Sequence, residues 1–181
     1  MIEPPALGRF SRRKGGSMLI RHVNQTDWEV IADIEQANFS PQEAVAANVI
    51  KERAGLISDT FLVAVIANQL VGYIEGPVIA EPRLEDHLFH GVTKNPARGG
   101  YIAITSLSVA PGYQKQGIGT ALLAAMKDLA VAQDRLGIIL TCHDYLIPYY
   151  EMNGFQDQGL SASKHGGSVW YQMLWQPLEG H

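Results

Sequence analysis

Apolar and polar positions along the 181-residue chain alternate and cluster so as to mark a series of short elements. Residues 19–23, with Leu19, Ile20 and Val23 apolar, predict a short strand. Thr26-Asp27-Trp28-Glu29 has capping-box spacing, with Thr26 accepting from the N–H three residues on and Glu29 reaching back. Val30, Ile31, Ile34 and Ala37 then fall on one helical face. Ser40-Pro41-Gln42-Glu43 repeats the start signal with proline at the first helical position. It predicts a second helix to about residue 54, closed by Gly55 in a left-handed cap.

Residues 61–67 and 70–78 are rich in β-formers, and Asn68-Gln69 between them reads as a hairpin turn. Residues 80–99 are polar, carry two prolines and two histidines, and predict a long loop of the kind that carries function. A strand is expected over 101–109. After a glycine-containing turn, Leu122, Leu123, Met126, Leu129 and Ala130 form the stripe of an amphipathic helix. Residues 137–142 are short and apolar throughout, as a strand buried inside a parallel pair must be. A short helix with Pro148 in its first turns ends at Gly154, and strands near 155–161 and 168–175 close the chain. The order places the protein in the α/β (α+β) class.

Composition narrows the picture. At 46% hydrophobic and 18% charged residues the chain is expected to fold as a globular protein. No apolar run reaches the roughly 18–20 residues of a membrane span, so no membrane partner is expected. A net charge of −4 argues against a general nucleic-acid binder, which needs a clustered basic face. Cys142 is the lone cysteine; it excludes an internal disulfide and fits a reducing, cytoplasmic setting. With histidines scattered around it there is no zinc spacing, and no metal is expected. Residues 1–17 contain Pro4, Pro5, four basic residues and Gly15-Gly16 without periodic apolar positions. They predict a flexible extension before a single domain over 18–181, and they lack the apolar stretch of about 7–15 residues of a secretory signal.

Gln114-Lys115-Gln116-Gly117-Ile118-Gly119 carries the first chemistry. A strand leads into this turn and a helix leaves it. The helix's first N–H groups have no internal partners and lie at the positive end of its dipole. Glycines at 117 and 119 leave room for a pyrophosphate to reach those amides. Lys115 adds charge and Thr120 a hydroxyl. A P-loop would need Lys-Ser/Thr after the last glycine, where Thr120-Ala121 stands. A dinucleotide fingerprint would need a small residue in place of Leu122.

The run from Leu107 through Ser108, Val109 and Tyr113 to Thr120 resembles the acetyl-CoA motif of the GCN5-related N-acetyltransferases, Gln/Arg-x-x-Gly-x-Gly/Ala after a strand. Tyr150-Glu151-Met152-Asn153-Gly154-Phe155 is similar to the Tyr-x-x-x-Gly-Phe ending of the same superfamily. A narrower likeness over about residues 19–175 is to serotonin (arylalkylamine) N-acetyltransferases and their bacterial relatives. It rests on Ile34 to Phe39, Val71 to Gly76, Leu140 to His143 and Leu146 to Tyr150. The resemblance implies a mixed, largely antiparallel sheet with a splayed parallel strand pair and about four helices. Acetyl-CoA would be the co-substrate, held by Leu107, Ser108, Val109 and residues Gln114, Lys115, Gln116, Gly117, Ile118, Gly119 and Thr120. The acceptor would be a small-molecule amine, arylalkylamine or polyamine-like, with a homodimer as a further option.

The resemblance also implies roles. Tyr150 would protonate the leaving thiolate, and Phe39, Ile104 and Trp170 would line the acceptor pocket. The two histidines of the animal arylalkylamine enzymes are replaced by Ala103 and Thr105, so the usual base is missing. Its replacements are His165 first, then His143 and Glu35. Cys142 reads as buried packing. Two alternatives stand beside the small-amine enzyme: a peptide N-terminal or lysine acetyltransferase, and a non-catalytic acyl-CoA-binding regulatory domain.

Overall fold

The structure, a computed structural model, describes residues 9–10, backbone only, and 17–179. Apart from these few positions, the extension expected over 1–17 lies outside the described residues. Two five-stranded sheets are joined through one interrupted strand. The first contains β1 (Arg9–Phe10), β2 (Met18–His22), β3 (Phe61–Ile66), β4 (Gln69–Glu75) and a later strand, all antiparallel. Between β2 and β3 come α1 (Trp28–Asn38) and α2 (Ala47–Leu56). The chain continues through β5 (Val78–Ile79), β6 (Tyr101–Ile104), β7 (Ser106–Val109) and α3 (Ile118–Ala132). It ends with β8 (Gly137–Cys142), α4 (Ile147–Met152), β9 (Gln156–Leu160) and β10 (Tyr171–Trp175). The second sheet has the order β5-β6-β8-β10-β9, and β6–β8 is its parallel pair.

Phe61-Leu-Val-Ala-Val-Ile66 is apolar at every position because both its faces are covered. Leu62, Ala64 and Ile66 pack with Leu122, Met126 and Ile118 of α3. Phe61 and Val63 face the other way, onto Ile31 and Ile34 of α1 and Ile50 and Ala54 of α2.

Four local expectations are corrected. The capping box sits two residues earlier, where Asp27 Oδ2 accepts from the Asn24 N–H at 2.7 Å. Val30 and Ala37 lie on the exposed side of α1, and Ala32 and Glu35 replace them on the buried face. The 67–68 hairpin turn uses Ala67 and Asn68 at positive φ, 48° and 64°, a primed turn that matches the strand twist.

The second helix begins at Ala47, not at Pro41, and Gly55 lies inside it. The backbone groups a longer helix would use are engaged elsewhere: Val45 N–H donates to Glu35 Oε1 at 3.1 Å, and Glu43 C=O accepts from His165 Nε2 at 3.0 Å.

The most consequential correction concerns residues 101–109. The expected strand breaks at Thr105, whose N–H donates to Glu75 C=O at 2.9 Å. β6 stays with β8 in the second sheet, while β7 crosses to β4 in the first. This joint opens the gap in which the site lies. Gly76, at the end of β4, lets the backbones meet there: a Cβ at that position would sit 1.7 Å from Ala103 O. Gly76→Ala is expected to cost about 3 kcal/mol, near the upper end of ordinary overpacking, because backbone rather than a side-chain tip must move. Chemical denaturation measures it; a loss within about 0.5 kcal/mol would mean that the joint is soft.

Candidate active site

β7 brings an unpaired edge to the gap. Ala110 N–H donates to Val71 C=O at 2.8 Å, so alternation along the ladder turns the Leu107 and Val109 groups to the opposite edge. There Val109 C=O accepts from Asn38 Nδ2 at 2.7 Å and from Gln114 Nε2 at 3.0 Å. Asn38 also donates to Ser108 Oγ, so the end of α1 is fastened to β7. Leu107 keeps both backbone groups, and Val109 its N–H, for pairing with an extended chain.

The turn after β7 places Lys115 at φ 59° and Gly117 at φ 85°, the latter as the N-cap of α3. A Cβ on Gly117 would meet nothing within 4 Å, so this glycine serves the left-handed backbone and leaves the helix start open. Gly119 is closely covered, since its Cβ would lie 3.1 Å from the Tyr149 hydroxyl. That hydroxyl also lies 3.2 Å from Thr120 Oγ1.

Two adjoining cavities follow from this arrangement. The larger, about 500 Å³, runs from Leu107–Val109 over the turn to the first residues of α3 and α4. Its lining includes every residue expected to hold acetyl-CoA except Gln116, whose side chain donates to Gly112 C=O at 3.3 Å. The smaller, about 190 Å³, lies on the far side of β7 and contains Phe39, Ile104 and Trp170 together with Tyr150, His143 and His165. Leu107 and Tyr150 line both.

Tyr150 is buried against Phe155 and Tyr149, edge to face, at 5.8 and 5.1 Å. Burial, reinforced by Cys142 and Tyr149, holds its phenol well above the usual tyrosine range, so it carries its proton at neutral pH. Burial, with Asp157 and Asp144 nearby, likewise pushes the Cys142 thiol up to about 11.

The three base candidates occupy different settings. The His165 ring stacks on Phe89 at 3.9 Å, and its Nε2 faces a carbonyl that can only accept, so Nε2 bears the proton. His143 stacks on Trp170 at 4.4 Å and lies 3.5 Å from Glu43 Oε1. Glu35 is not a solvated helix residue: it is 1% exposed. Tyr73 Oη donates to its Oε2, Ser106 Oγ lies 3.0 and 3.2 Å from its two oxygens, and Val45 N–H completes the shell. Burial raises its pKa, and the charge of Glu75 adds to this; the hydrogen bonds from Tyr73, Val45 and Ser106 oppose but do not cancel the shift.

Several site residues had no sequence signal. Phe89 sits in the polar 80–99 segment, where nothing marks an aromatic as a pocket wall. Glu43, the last residue of the expected helix-start signal, instead ties the α1–α2 segment to the β9–β10 loop. Its carboxylate accepts from Ser168 Oγ at 2.9 Å and its carbonyl from His165. Ala103, one of the two positions left without histidine, packs with Leu84 and Ile139 away from the cavity. Thr105, the other, lines the cavity and bonds Glu75 Oε1 at 2.7 Å.

Among the described residues no helix is long and apolar enough to cross a membrane, and no three His, Cys, Asp or Glu side chains gather as a metal site.

A family model described as acetyltransferase (GNAT) family matches residues 27–155. An uncharacterized N-acetyltransferase of Bacillus subtilis (strain 168), YkwB, is 26% identical over 130 residues, which span 66% of this chain and 58% of that protein. Ard1 from Thermoplasma volcanium superposes with a TM-score of 0.68 at 22% identity, covering 90% of this chain and 99% of its own. Arabidopsis thaliana Naa50, in complex with the bisubstrate analogue CoA-Ac-MVNAL, gives 0.64 at 15% identity, covering 88% and 99%. These two likenesses establish the fold.

Proposed function

The chain belongs to the acetyltransferase (GNAT) family, and from that premise we propose that it moves the acetyl group of acetyl-CoA to the primary amine of a small molecule by direct attack. The observation that carries this reading is the pair of cavities meeting at Leu107 and Tyr150. Pyrophosphate sits at the start of α3, where unpaired N–H groups and Lys115 meet its charge. Pantetheine runs along the unpaired edge of β7 as an added strand.

The acceptor enters as an ammonium, of which only about one part in a thousand is neutral at pH 7. Glu35, in the wall of the smaller cavity beside Ser106, takes that proton. We favour it over His165 and His143 because it is the carboxylate buried in the cavity wall, where loss of water raises its affinity for a proton. The amine lone pair forms a bond to the thioester carbon, and a Leu107 or Val109 N–H bonds the oxyanion. The carbon–sulfur bond then breaks and the thiolate takes the proton of the Tyr150 phenol. The proton the nitrogen sheds as it becomes an amide returns to the phenolate, and Glu35 releases its own proton to solvent. Products are the acetamide and free CoA thiol.

A small acceptor fits better than a peptide. A peptide needs an open trough between the α1–α2 segment and the β9–β10 loop, and Glu43 bridges these two with a carbonyl and a carboxylate contact. A Cβ on Gly166 would lie 2.6 Å from Glu43 Cγ, so the two segments touch. Thiol release from acetyl-CoA, compared across tryptamine, phenethylamine, spermidine and a lysine peptide, tests the reading. Expected is a preference of about tenfold or more in kcat/KM for one of the small amines. A preference for the peptide overturns the acceptor class. Acetyl-CoA binding without release on any amine makes the protein a binding module.

A further inference from the structure

Behind Glu35 lies a second buried carboxylate with its own cation. Arg53 of α2 has no exposed side chain, Glu75 of β4 is 3% exposed, and Arg53 Nη1 donates to both Glu75 oxygens at 3.0 Å. The same Nη1 reaches Thr105 Oγ1, and Nη2 donates to Leu88 C=O in the segment that carries Phe89. Thr105 Oγ1 lies 2.7 Å from Glu75 Oε1, while the next residue, Ser106, holds Glu35. Consecutive hydroxyls at the joint between the sheets therefore grip two different carboxylates.

A buried ion pair is a costly way to stabilise a fold, since apolar side chains of similar volume often serve as well or better. Here the cost is raised further. Arg53 Nε is buried without a hydrogen-bond partner, alone in this among the buried side-chain nitrogen and oxygen atoms described. We propose that the Arg53–Glu75 pair is a positioning group for Glu35, with Glu75, opposite Ser106 in the β4–β7 ladder, setting a like charge beside Glu35 and Arg53 holding Glu75 in place. The inference rests on the reading of Glu35 as the base.

The direction of the effect follows from the neighbours. Toward Glu35, β4 presents Tyr73, a proton donor, and Glu75, a like charge; α2 presents Arg53, whose opposite charge offsets part of the effect of Glu75, its ion-pair partner. Glu43, His143 and His165 enter the same cavity from the α1–α2 segment, the end of β8 and the β9–β10 loop, and Cys142 and Tyr150 face it as neutral groups. A like charge disfavours a second carboxylate, so Glu75 raises the affinity of Glu35 for a proton.

The experiment is the pH profile of kcat/KM for E75Q, which keeps shape and removes the charge. Its acidic limb should move down by about one pH unit, the size of a neighbouring-charge effect, and its plateau should fall several-fold as the base weakens. R53K retains the cation, and its limb should stay within about 0.3 unit of the parent, well inside that effect. E75M/R53M replaces the pair by apolar side chains of similar length, should fold, and should shift the limb down by less than E75Q, because the opposing cation leaves with the anion. An unmoved or raised limb in E75Q, or in E75M/R53M should E75Q not fold, overturns the proposal. So does a shift in R53K as large as that in E75Q, since geometry rather than charge would then act. E35Q separates the two levels: a limb in E35Q that still bends where the parent's does removes Glu35 as base. A limb lost in E35Q but unmoved in E75Q removes the Arg53–Glu75 role alone.

Discussion

Glu35→Gln is expected to lower kcat/KM for the amine by about 10²–10⁴-fold, the usual worth of a positioned base, and to erase the acidic limb of the pH profile. The carboxylate is active when ionised, so turnover in the parent rises with pH through its raised pKa. Glutamine cannot take the proton at any pH, so residual turnover should follow the small neutral fraction of free amine. That fraction grows tenfold per pH unit below the amine's own pKa, about 10. The KM for acetyl-CoA should be unchanged, because Glu35 does not line the larger cavity.

Stability gives an independent control on the same variant. A carboxyl whose pKa is raised on folding is destabilising when ionised, with the cost arising as pH climbs from its unfolded to its folded value. Glutamine removes that cost and retains an oxygen for the Val45 N–H. The variant should therefore melt at neutral pH no lower than about 1 kcal/mol of lost hydrogen bonding would imply. Low turnover in a well-folded E35Q supports the base; turnover within tenfold of the parent, or an intact acidic limb, rejects it.

Tyr150→Phe is the second large expected effect, a fall in kcat of about 10²–10³-fold with unchanged acetyl-CoA affinity in a direct binding measurement. The ring remains, and with it the edge-to-face contacts to Phe155 and Tyr149, so thermal stability should hold. The loss should be greatest with thioesters whose leaving thiol is least acidic, since those depend most on a proton donor. The burial that lifts the Tyr150 pKa also predicts no alkaline limb from this residue in the parent below pH 10. A Phe variant with full turnover would remove Tyr150 from the acid's role; an alkaline limb near pH 8 that vanishes in it would keep that role and overturn the rise attributed to burial.

Legibility of the site followed the distance over which its geometry is determined. The α3 turn was readable because glycine spacing and a following amphipathic stripe are local features, and the turn's lining matches the expected residues almost one for one. The helix expected from Pro41 does not form there, for the complementary reason. Its start signal is local, but the segment's backbone groups bond Glu35 and His165, 10 and 122 residues away. The strand over 101–109 reads as continuous because the apolar 101–104 and the alternating Ser-Leu-Ser-Val of 106–109 are both strand patterns. Nothing in that run says that Ile104 belongs beside Leu140 and Ser106 beside Glu75.

What the sequence determined by itself is the order and kind of most elements, the glycine turn that opens α3, and the family to which the chain belongs. Each rests on neighbours within a few turns of chain, where spacing dictates which groups meet. Only the tertiary structure decided which candidate near the acceptor is buried, and it turned Glu35 from an ordinary helix carboxylate into the proposed base. The reason is physical: its proton affinity comes from lost water and from Glu75, 40 positions further along the chain. Desolvation and through-space charge have no signature in local periodicity. They arise when α1, α2, β4 and the broken strand at Thr105 pack together around the gap.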